Sequence, residues 1–312
     1  MPGYGDKPPL NMNIRFLKYK KLYYIFSGLL ALASLFCLIF FGLKFSIDFT
    51  SGTILEVEFE NRPENKVIQE KLGDLGLGEI IIQPTGEKGV ILRMSEINEE
   101  THQQIISKIR EISEVQEKRF ESIGPSVGKE LRRKTIILIT ISLLALLVYM
   151  AIAFRNVSGP ISSWQYGIIS IIALIFDVLI PLGNFALLGK LYNIQFSIPI
   201  ITALLTILGY TINDKVIIFD RVRENLLRGR GENFDDLVNQ SLNQTLWRSL
   251  STGTCSLLVL LAIFFLGGET LRYFALTLII GIIAGTYSSL FLAAPILITW
   301  RGRGLTRGFK ND

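Results

Sequence analysis

The sequence predicts a mainly α-helical membrane protein with six transmembrane helices and a small α+β domain between the first two. Three observations support this fold class. The chain of 312 residues is 49% hydrophobic and 19% charged, whereas a soluble domain carries about 25% charged residues. Its mean hydropathy is +0.42, and its apolar residues form six long blocks. A long polar segment, residues 44–134, separates the first two blocks.

Each block is long enough to cross a bilayer, which takes about 20 predominantly apolar residues. The predicted spans are Leu22–Leu43, Thr135–Phe154, Tyr166–Gly189, Ile198–Phe219, Leu250–Gly267 and Tyr273–Trp300. The first span follows a basic stretch, but it is too long for a secretory signal and no small-residue cleavage site follows it. We therefore interpret it as a retained anchor.

The distribution of Lys and Arg predicts the orientation, because cytoplasmic segments carry the excess of these residues. They are concentrated in the N-terminal tail 1–21, the segment 220–249 that belongs to the helical part 135–300, and the C-terminal tail 301–312. The two short loops on the opposite side carry one basic residue each, Lys190 and Arg272. Both termini are therefore expected in the cytoplasm and residues 44–134 outside it. This topology accounts for the basic charge, so no nucleic-acid partner is expected.

The outer segment predicts a ferredoxin-like domain, because its elements follow the order strand, helix, strand, strand, helix, strand. The first strand alternates, with Leu55, Val57 and Phe59 on one face. The remaining predicted elements are the helices Glu64–Leu75 and Asn98–Glu114 and the strands Glu79–Gln83, Val90–Met94 and Glu117–Ile123. Asp48 precedes this domain in a polar turn and is interpreted as a turn-capping residue.

Composition argues against several kinds of chemistry. Cys37 and Cys255 both lie inside apolar runs, which indicates thiols rather than a disulfide framework. His102 is the only histidine, so a His/Cys metal site has almost nothing to be built from. No cluster suited to catalysis occurs in the outer domain. We expect no enzyme activity, cofactor or metal.

Each charged residue inside a span requires an explanation, because placing one carboxylate in mid-bilayer has a free-energy cost of at least about 2.5–3.5 kcal/mol. Asp177, Asp214 with its neighbours Asn213 and Lys215, and Arg248 are the candidates. The functional interpretation is an ion relay, in which a carboxylate loads and releases a cation near a fixed arginine. The alternative is a buried ion pair or a side chain that reaches the membrane surface. Glu269 lies at a span end, where a structural role is favoured.

The last span carries a small residue every four positions, at Gly281, Gly285 and Ser289. Such a stripe permits close helix packing. It predicts a tightly packed bundle rather than a substrate site.

Six segments resemble the SecD/SecF family of the Sec protein-export machinery, which belongs to the RND superfamily, and they favour its SecF-type members. They are Ser46–Gly52 (SIDFTSG), Glu121–Leu131 (ESIGPSVGKEL), Gly209–Asn225 (GYTINDKVIIFDRVREN), Asn243–Gly253 (NQTLWRSLSTG), Gly267–Glu269 (GGE) and Gly281–Ser289 (GIIAGTYSS). The motif residues expected to be structural are Asp48, Gly52, Gly124, Pro125, Gly209, Asp220, Arg221, Gly267, Gly268, Glu269, Gly281 and Gly285.

The resemblance implies a six-helix half of an RND-type transporter in the cytoplasmic (inner) membrane of a bacterium. Its implied partners are SecD, the SecYEG channel, a YajC-like subunit, unfolded secretory proteins in transit and membrane lipid. Its implied task is to help secretory proteins complete their crossing at the expense of a proton or sodium gradient. Asp214 matches the titrating carboxylate of the family, and Arg248 matches its membrane arginine.

Three residues depart from the family pattern, namely Ser51 for a glycine, Lys215 for a small hydroxyl residue and Phe176 for a histidine before Asp177. An ammonium close to Asp214 would favour its ionised form. That argues against simple proton binding there, unless Lys215 points at another acid such as Asp177. Two other functions remain open: a structural subunit that stabilises SecD or SecYEG, and a stand-alone RND exporter of small molecules or lipids.

Overall fold

A computed structural model of the chain describes residues 14–153, 163–229 and 233–304. The rest of the predicted tails, the end of the second span at Phe154 and residues 230–232 of the segment 220–249 lie outside this part. In chain order the elements are α1 (Lys20–Phe40), α2 (Ile47–Thr50), β1 (Gly52–Phe59), α3 (Asn65–Leu72), β2 (Ile81–Thr85), β3 (Gly89–Met94), α4 (Glu99–Arg110), β4 (Val115–Ile123), α5 (Pro125–Ala153), α6 (Ser163–Tyr192), α7 (Ile198–Leu227), α8 (Phe234–Leu266), α9 (Glu269–Ser288), a π-helical turn (Ser289–Ala293) and α10 (Ala294–Gly304).

The six predicted spans are confirmed. In the described part of the chain, six helical segments are long and apolar enough to cross a membrane: Phe16–Phe40, Pro125–Met150, Trp164–Tyr192, Ile198–Leu227, Phe234–Leu266 and Leu271–Trp300. Several of them extend beyond the apolar blocks. For example, α8 begins at Phe234 because Asn233 caps it, its side-chain Oδ1 accepting a hydrogen bond of 2.9 Å from the Asp236 amide.

The chain divides into two compact units, of which one contains α1, the second half of α5 and α6 to α10, and the other comprises Phe45–Leu138 with the first half of α5. The core of the membrane unit lies among α6, α7, the first half of α8 and the end of the chain around α10. Phe16 is part of this core, being 4% exposed. Its amide donates a 2.9 Å hydrogen bond to Asn239 Oδ1, and the amide of Ile14 donates one of 2.9 Å to Asn243 Oδ1. The segment before α1 is thereby fixed to α8.

The second unit is built on a four-stranded antiparallel sheet in the order β2-β3-β1-β4. This is the strand order of a ferredoxin-like domain, so the predicted fold class is confirmed. Leu55, Val57 and Phe59 are buried against the helices, as the alternation predicts, and Ile105 and Ile109 of α4 pack onto the same core. The core of this unit therefore lies between one face of the sheet and the two helices.

One element of this unit was not predicted from the sequence. Residues Ile47–Thr50 form the short helix α2, in which Ser46 is the N-cap and its Oγ accepts a 3.3 Å hydrogen bond from the Asp48 amide. The same hydroxyl donates a 2.8 Å hydrogen bond to Asp48 Oδ2. The polar turn expected around Asp48 is thus helical.

Candidate ion-coupling site

A fully buried ion pair joins α6 to α7. Lys215 Nζ lies 2.6 Å from Asp177 Oδ2, and both side chains are 0% exposed. The ammonium also donates a longer hydrogen bond of 3.4 Å to the Thr211 carbonyl oxygen, one turn earlier on α7. An ammonium has three protons to donate, and burial of an ion pair is tolerated only when further hydrogen bonds accompany it. Of the alternatives that the sequence leaves open for Lys215, the structure therefore selects Asp177 as its partner.

The second oxygen of Asp177 is held from α9. Ser288 Oγ donates to Asp177 Oδ1 at 2.5 Å. Ser288 also lies 3.1 Å from the Gly285 carbonyl, but that oxygen receives a shorter hydrogen bond of 2.7 Å from Ser289 Oγ. Since a hydroxyl has only one proton to donate, the proton of Ser288 is assigned to the carboxylate. Both oxygens of Asp177 are thus engaged by different helices.

The helix changes geometry directly after these serines. Residues Ser289–Ala293 form a π-helical turn between α9 and α10. Such turns widen the helix and disturb its regular hydrogen bonding, and they occur frequently at functional sites. This one follows Ser288, and therefore adjoins the Asp177 ion pair.

Close packing of α9 on α7 brings the two sides of the site together. A Cβ atom at Gly281 would lie 2.0 Å from Ile207 Cδ1, and one at Gly285 would lie 2.0 Å from Thr211 Cγ2. The Cβ position of Gly285 is also 3.5 Å from Asp177 Oδ2. The stripe of small residues thus lies directly against α7, where a larger side chain would push Thr211 away.

Asp214 is the second buried carboxylate, 4% exposed on α7. Its one hydrogen bond is a long one, 3.4 Å from Ser249 Oγ of α8, and it forms no ion pair within the described part of the chain. Lys215, Arg248 and Asp177 are close enough to act on it electrostatically. Asp177, Asp214 and Lys215 are named here the buried charge cluster. Within this cluster the ammonium is committed to Asp177, while Asp214 has no cation in direct contact.

Two predicted site residues are not brought into contact with the buried charge cluster. Arg248 is exposed on α8, and among the described residues its guanidinium forms no ion pair. Asn213 is exposed on α7 and points away from the bundle, since its neighbours Asp214 and Lys215 are buried. Ser249 and Ser288, by contrast, contact the carboxylates but were not singled out from the sequence. Both lie in motif segments, Asn243–Gly253 and Gly281–Ser289, so their position in a motif is the signal that could have pointed to them.

The motif residues in the outer domain lie where the backbone is constrained. Gly52 has a φ of +130°, and a Cβ there would lie 2.8 Å from the Met94 carbonyl oxygen. A Cβ at Gly124 would lie 2.9 Å from Glu96 Oε1. Pro125 is the first residue of α5, a position that suits its fixed φ and missing N–H. Gly52 and Pro125 therefore shape the backbone, whereas a side chain at Gly124 would displace the carboxylate of Glu96.

The motif residues of the membrane unit have several different structural roles. Arg221 Nε donates a 2.7 Å hydrogen bond to Gln244 Oε1, which joins α7 to α8, and Asp220 lies 3.8 Å from Arg223 on the helix surface. A Cβ at Gly267 would lie 2.4 Å from the Ile263 carbonyl oxygen. Gly268 is the N-cap of α9. The side chain of Glu269 lies outside the described part.

A metal site would require a different grouping of ligands. Within the described residues no group of three or more His, Cys, Asp and Glu side chains could hold a metal ion. His102 is buried and stacks on Phe120 with a centroid distance of 3.8 Å, and its two ring nitrogens lie 3.2 and 3.3 Å from Glu99 and Glu117. The pKa of Glu99 is lowered, first by a hydrogen bond from Gln103 and then by one from His102.

The fold and the site define a multi-pass membrane protein in which ionisable groups face the interior of a helix bundle. Such groups inside a membrane are rare and mark ion or substrate pathways. Comparison with known proteins identifies the family. Residues 104–303 match the family model described as protein export membrane protein SecD/SecF, C-terminal, and residues 38–61 match the SecD/SecF GG motif. The chain belongs to the SecD/SecF family, and it is a multi-pass protein of the inner membrane.

Similar proteins extend over nearly the whole chain. A protein of Thermobaculum terrenum named protein translocase subunit SecF is 37% identical over 313 residues, covering 96% of this chain and 97% of that protein. A relative of the same name from Anaerolinea thermophila is 35% identical, with coverages of 96% and 97%. These relatives are components of a protein translocase, so the class is protein transport.

Solved structures are similar as well. The crystal structure of SecDF, a translocon-associated membrane protein from Thermus thermophilus, matches with a TM-score of 0.81 and 33% identity. A second SecDF structure, in a super-membrane-facing form, matches with a TM-score of 0.67 and 33% identity. Each match covers 97% of this chain but only 40% of the SecDF chain.

Proposed function

We propose that this chain is the SecF-type subunit of a bacterial protein-export complex, and that it pairs with SecD and uses a proton or sodium gradient to drive secretory proteins through SecYEG. The observation that carries the proposal is Asp214. It is a carboxylate buried in mid-span that has no ion pair in the described part of the chain and one long hydrogen bond. A buried carboxylate whose negative charge is not compensated by an ion pair is suited to binding and releasing a cation.

The charge balance supports one monovalent cation per cycle. In the described part of the chain, two carboxylates and one ammonium are buried in this cluster, so one negative charge is uncompensated when both carboxylates are ionised. Protonation of Asp214 neutralises the buried charge cluster, and release restores the charge. Moving one elementary charge across about 100 mV supplies about 2.3 kcal/mol. That energy is sufficient to bias a conformational equilibrium about fiftyfold at 25 °C, since about 1.4 kcal/mol corresponds to a factor of ten.

The surface of α7 supports pairing with SecD. Thr202, Thr206, Gly209 and Asn213 form an exposed stripe along one side of this span. A lipid-facing surface is normally apolar, whereas small and polar residues are typical of contacts between membrane helices. The Asn213 amide has no hydrogen-bond partner among the described residues. We infer that this stripe, named here the α7 stripe, contacts a helix of SecD.

The length of the solved relative supports the same conclusion. The match accounts for 40% of the SecDF chain, so the greater part of that polypeptide has no counterpart here. We infer that SecD supplies that part. The complex would further contain SecYEG and a YajC-like subunit, and it would act on unfolded secretory proteins as a transport component without enzyme activity.

The ion-coupling proposal is tested by export of a secreted reporter in cells that lack their own SecD and SecF and receive this chain with its cognate SecD. Asp214→Asn preserves shape but cannot ionise, so it is expected to lower export to the level seen when the gradient is dissipated. The control is Asp235→Asn, at an exposed position of α8. Equal export by Asp214→Asn and the unchanged chain, at matched membrane levels, would refute coupling through Asp214 and favour the structural-subunit alternative.

The pairing proposal has its own matched control. A Cβ at Gly209 meets no atom within 4 Å, so Gly209→Trp leaves the packing of this chain intact while blocking the α7 stripe. Leu32→Trp places the same side chain at an apolar position of α1 that is 65% exposed. We expect SecD to co-purify with Leu32→Trp but not with Gly209→Trp. Retention of SecD by both variants, or purification of the unchanged chain only as a homo-oligomer, would contradict the proposal and favour a stand-alone exporter.

We further propose that residues 44–134 lie outside the cytoplasm and that the tails 1–21 and 301–312 and the segment 220–249 lie inside. In a chain whose Cys37 and Cys255 are replaced by serine, Lys88→Cys in the turn before β3 should react with a membrane-impermeant maleimide in spheroplasts. Gly229→Cys, after α7, should react only once the membrane is opened. The reverse pattern would invert the topology.

A further inference from the structure

The ammonium group of Lys215 fills a pocket of oxygen atoms. Its Nζ lies 2.6 Å from Asp177 Oδ2 and 3.4 Å from the Thr211 carbonyl oxygen. Ser288 Oγ stands on the far side of the same carboxylate, 2.5 Å from Oδ1. The hydroxyl oxygen of Thr211 is also buried, and it has no hydrogen-bond partner in the described part of the chain. A carboxylate oxygen and a backbone carbonyl oxygen thus contact a single positive charge, while one hydroxyl group holds the far oxygen of the carboxylate and a second, on Thr211, is buried without a partner in the described part of the chain.

These are the ligands that hard metal cations take, whereas an ammonium needs only acceptors for its three protons. We propose that Asp177 and Thr211 form a monovalent-cation pocket, with Ser288 holding the carboxylate in place, and that the tethered ammonium of Lys215 replaces Na⁺ in it. Lys215 is accordingly a specificity-determining residue, because it closes the pocket to Na⁺ as long as its side chain is present. The identity of the coupling ion rests on the proposed function, but the presence of the pocket does not.

The physical argument concerns what happens when the ammonium is removed. Asp177 stays buried between α6, α7 and α9, and Ser288 alone cannot compensate an ionised carboxylate in a low-dielectric site. The Thr211 carbonyl loses its side-chain donor at the same time. Ser288 can remain a donor to one carboxylate oxygen, so the other oxygen and the two oxygens of Thr211 are available to a cation. Sodium restores the charge of the pocket and supplies the ligand contacts in one step.

The test measures binding by the stability of the purified full-length chain in detergent. The midpoint of thermal unfolding is recorded in NaCl and in N-methyl-D-glucamine chloride at equal ionic strength. Binding to the folded state raises the midpoint in a saturable way. The unchanged chain should show no difference between the salts. Lys215→Ser should show a midpoint several degrees higher in NaCl, and Lys215→Ser/Asp177→Asn should lose that difference because the carboxylate is gone.

A second variant keeps the proposal testable if Lys215→Ser does not fold in either salt. Lys215→Ala also removes the ammonium and leaves the pocket open, with the residue of highest helix propensity, and it is measured in the same way. The proposal is overturned if the foldable single variant gives equal midpoints in both salts, if the unchanged chain responds equally, or if the double variant responds as the single variant does. Because no export is measured, failure here is distinguishable from failure of the coupling role of Asp214.

Discussion

Removing the positive charge of Lys215 should destabilise the chain more than any other single change of similar size. The two charges are 2.6 Å apart, and at an effective dielectric constant of about 20 their attraction is about 6 kcal/mol. Part of this attraction is offset because each ion loses its hydration on burial, at a cost of several kcal/mol. Removal of one partner from such a pair leaves an uncompensated charge, which costs about 3–5 kcal/mol. We expect Lys215→Met, which is unbranched and only one atom shorter than lysine, to lose that amount.

A second substitution should recover part of the loss. Asp177→Asn removes the uncompensated charge while its amide oxygen still accepts from Ser288. The double variant Lys215→Met/Asp177→Asn is therefore expected to be more stable than Lys215→Met, although it carries one more change. The free energy of unfolding is measured by equilibrium denaturation in mixed micelles, and the interaction energy follows from the cycle.

The control for this cycle is Lys190→Met, at an exposed position at the end of α6. A surface substitution of this kind usually stays within about 0.5 kcal/mol of the unchanged chain. The reasoning is refuted if Lys215→Met is as stable as Lys190→Met, or if the two single losses simply add in the double variant. Either outcome would mean that the ammonium and the carboxylate do not compensate each other inside the bundle.

Three further predictions concern packing, capping and charge. Gly285→Leu places atoms where Thr211 Cγ2 lies 2.0 Å from the Cβ position, so overpacking should cost about 1–3 kcal/mol or more in the same unfolding assay. Asn98→Ala removes the cap of α4 and should cost about 0.5–2 kcal/mol of outer-domain stability, measured by amide hydrogen exchange. Lys118 lowers the pKa of Glu58, first by a hydrogen bond and then by its charge. The stabilisation is present above the unfolded pKa of about 4.3 and is lost as pH falls through the folded value, so Lys118→Met should weaken the acid dependence of hydrogen exchange in β1.

Each of these three predictions has a control variant. Gly209→Leu lies on the same bundle but meets no atom within 4 Å, so a loss equal to that of Gly285→Leu would rule out close packing as the cause. Asn98→Asp keeps a capping oxygen and should retain the stability that Asn98→Ala loses. For the charge pair, Lys88→Met removes a more distant basic residue. If it changes the acid dependence as much as Lys118→Met does, the direct contact is not responsible.

Properties of a single segment could be predicted from the sequence. Six spans were predicted because the hydropathy of each block is sufficient to drive a helix into a membrane. The buried face of β1 followed from the alternation of Leu55, Val57 and Phe59. The short helix α2 escaped detection, because four residues carry too little periodicity to be distinguished from a turn.

Contacts between distant segments could not be predicted in this way. Asp177 and Lys215 are 38 positions apart, and Asp177 and Ser288 are 111 positions apart. The contacts between these residues depend on where α6, α7 and α9 cross one another and on the rotation of each helix about its own axis. The exposure of Arg248 depends on the rotation of α8. Helical spacing shows which residues share a face, but not which helix that face will meet.

The sequence by itself determined the class of the protein, the number of spans, the elements of the outer domain and the residues whose charge needed an explanation. These properties follow from the free-energy cost of placing polar groups in hydrocarbon, to which each residue contributes separately. Only the tertiary structure decided that Lys215 neutralises Asp177 and that Asp214 has no counter-ion among the described residues. Compensation of a buried charge is a property of distances of a few ångströms, and those distances are set when small residues such as Gly281 and Gly285 allow α9 to pack against α7.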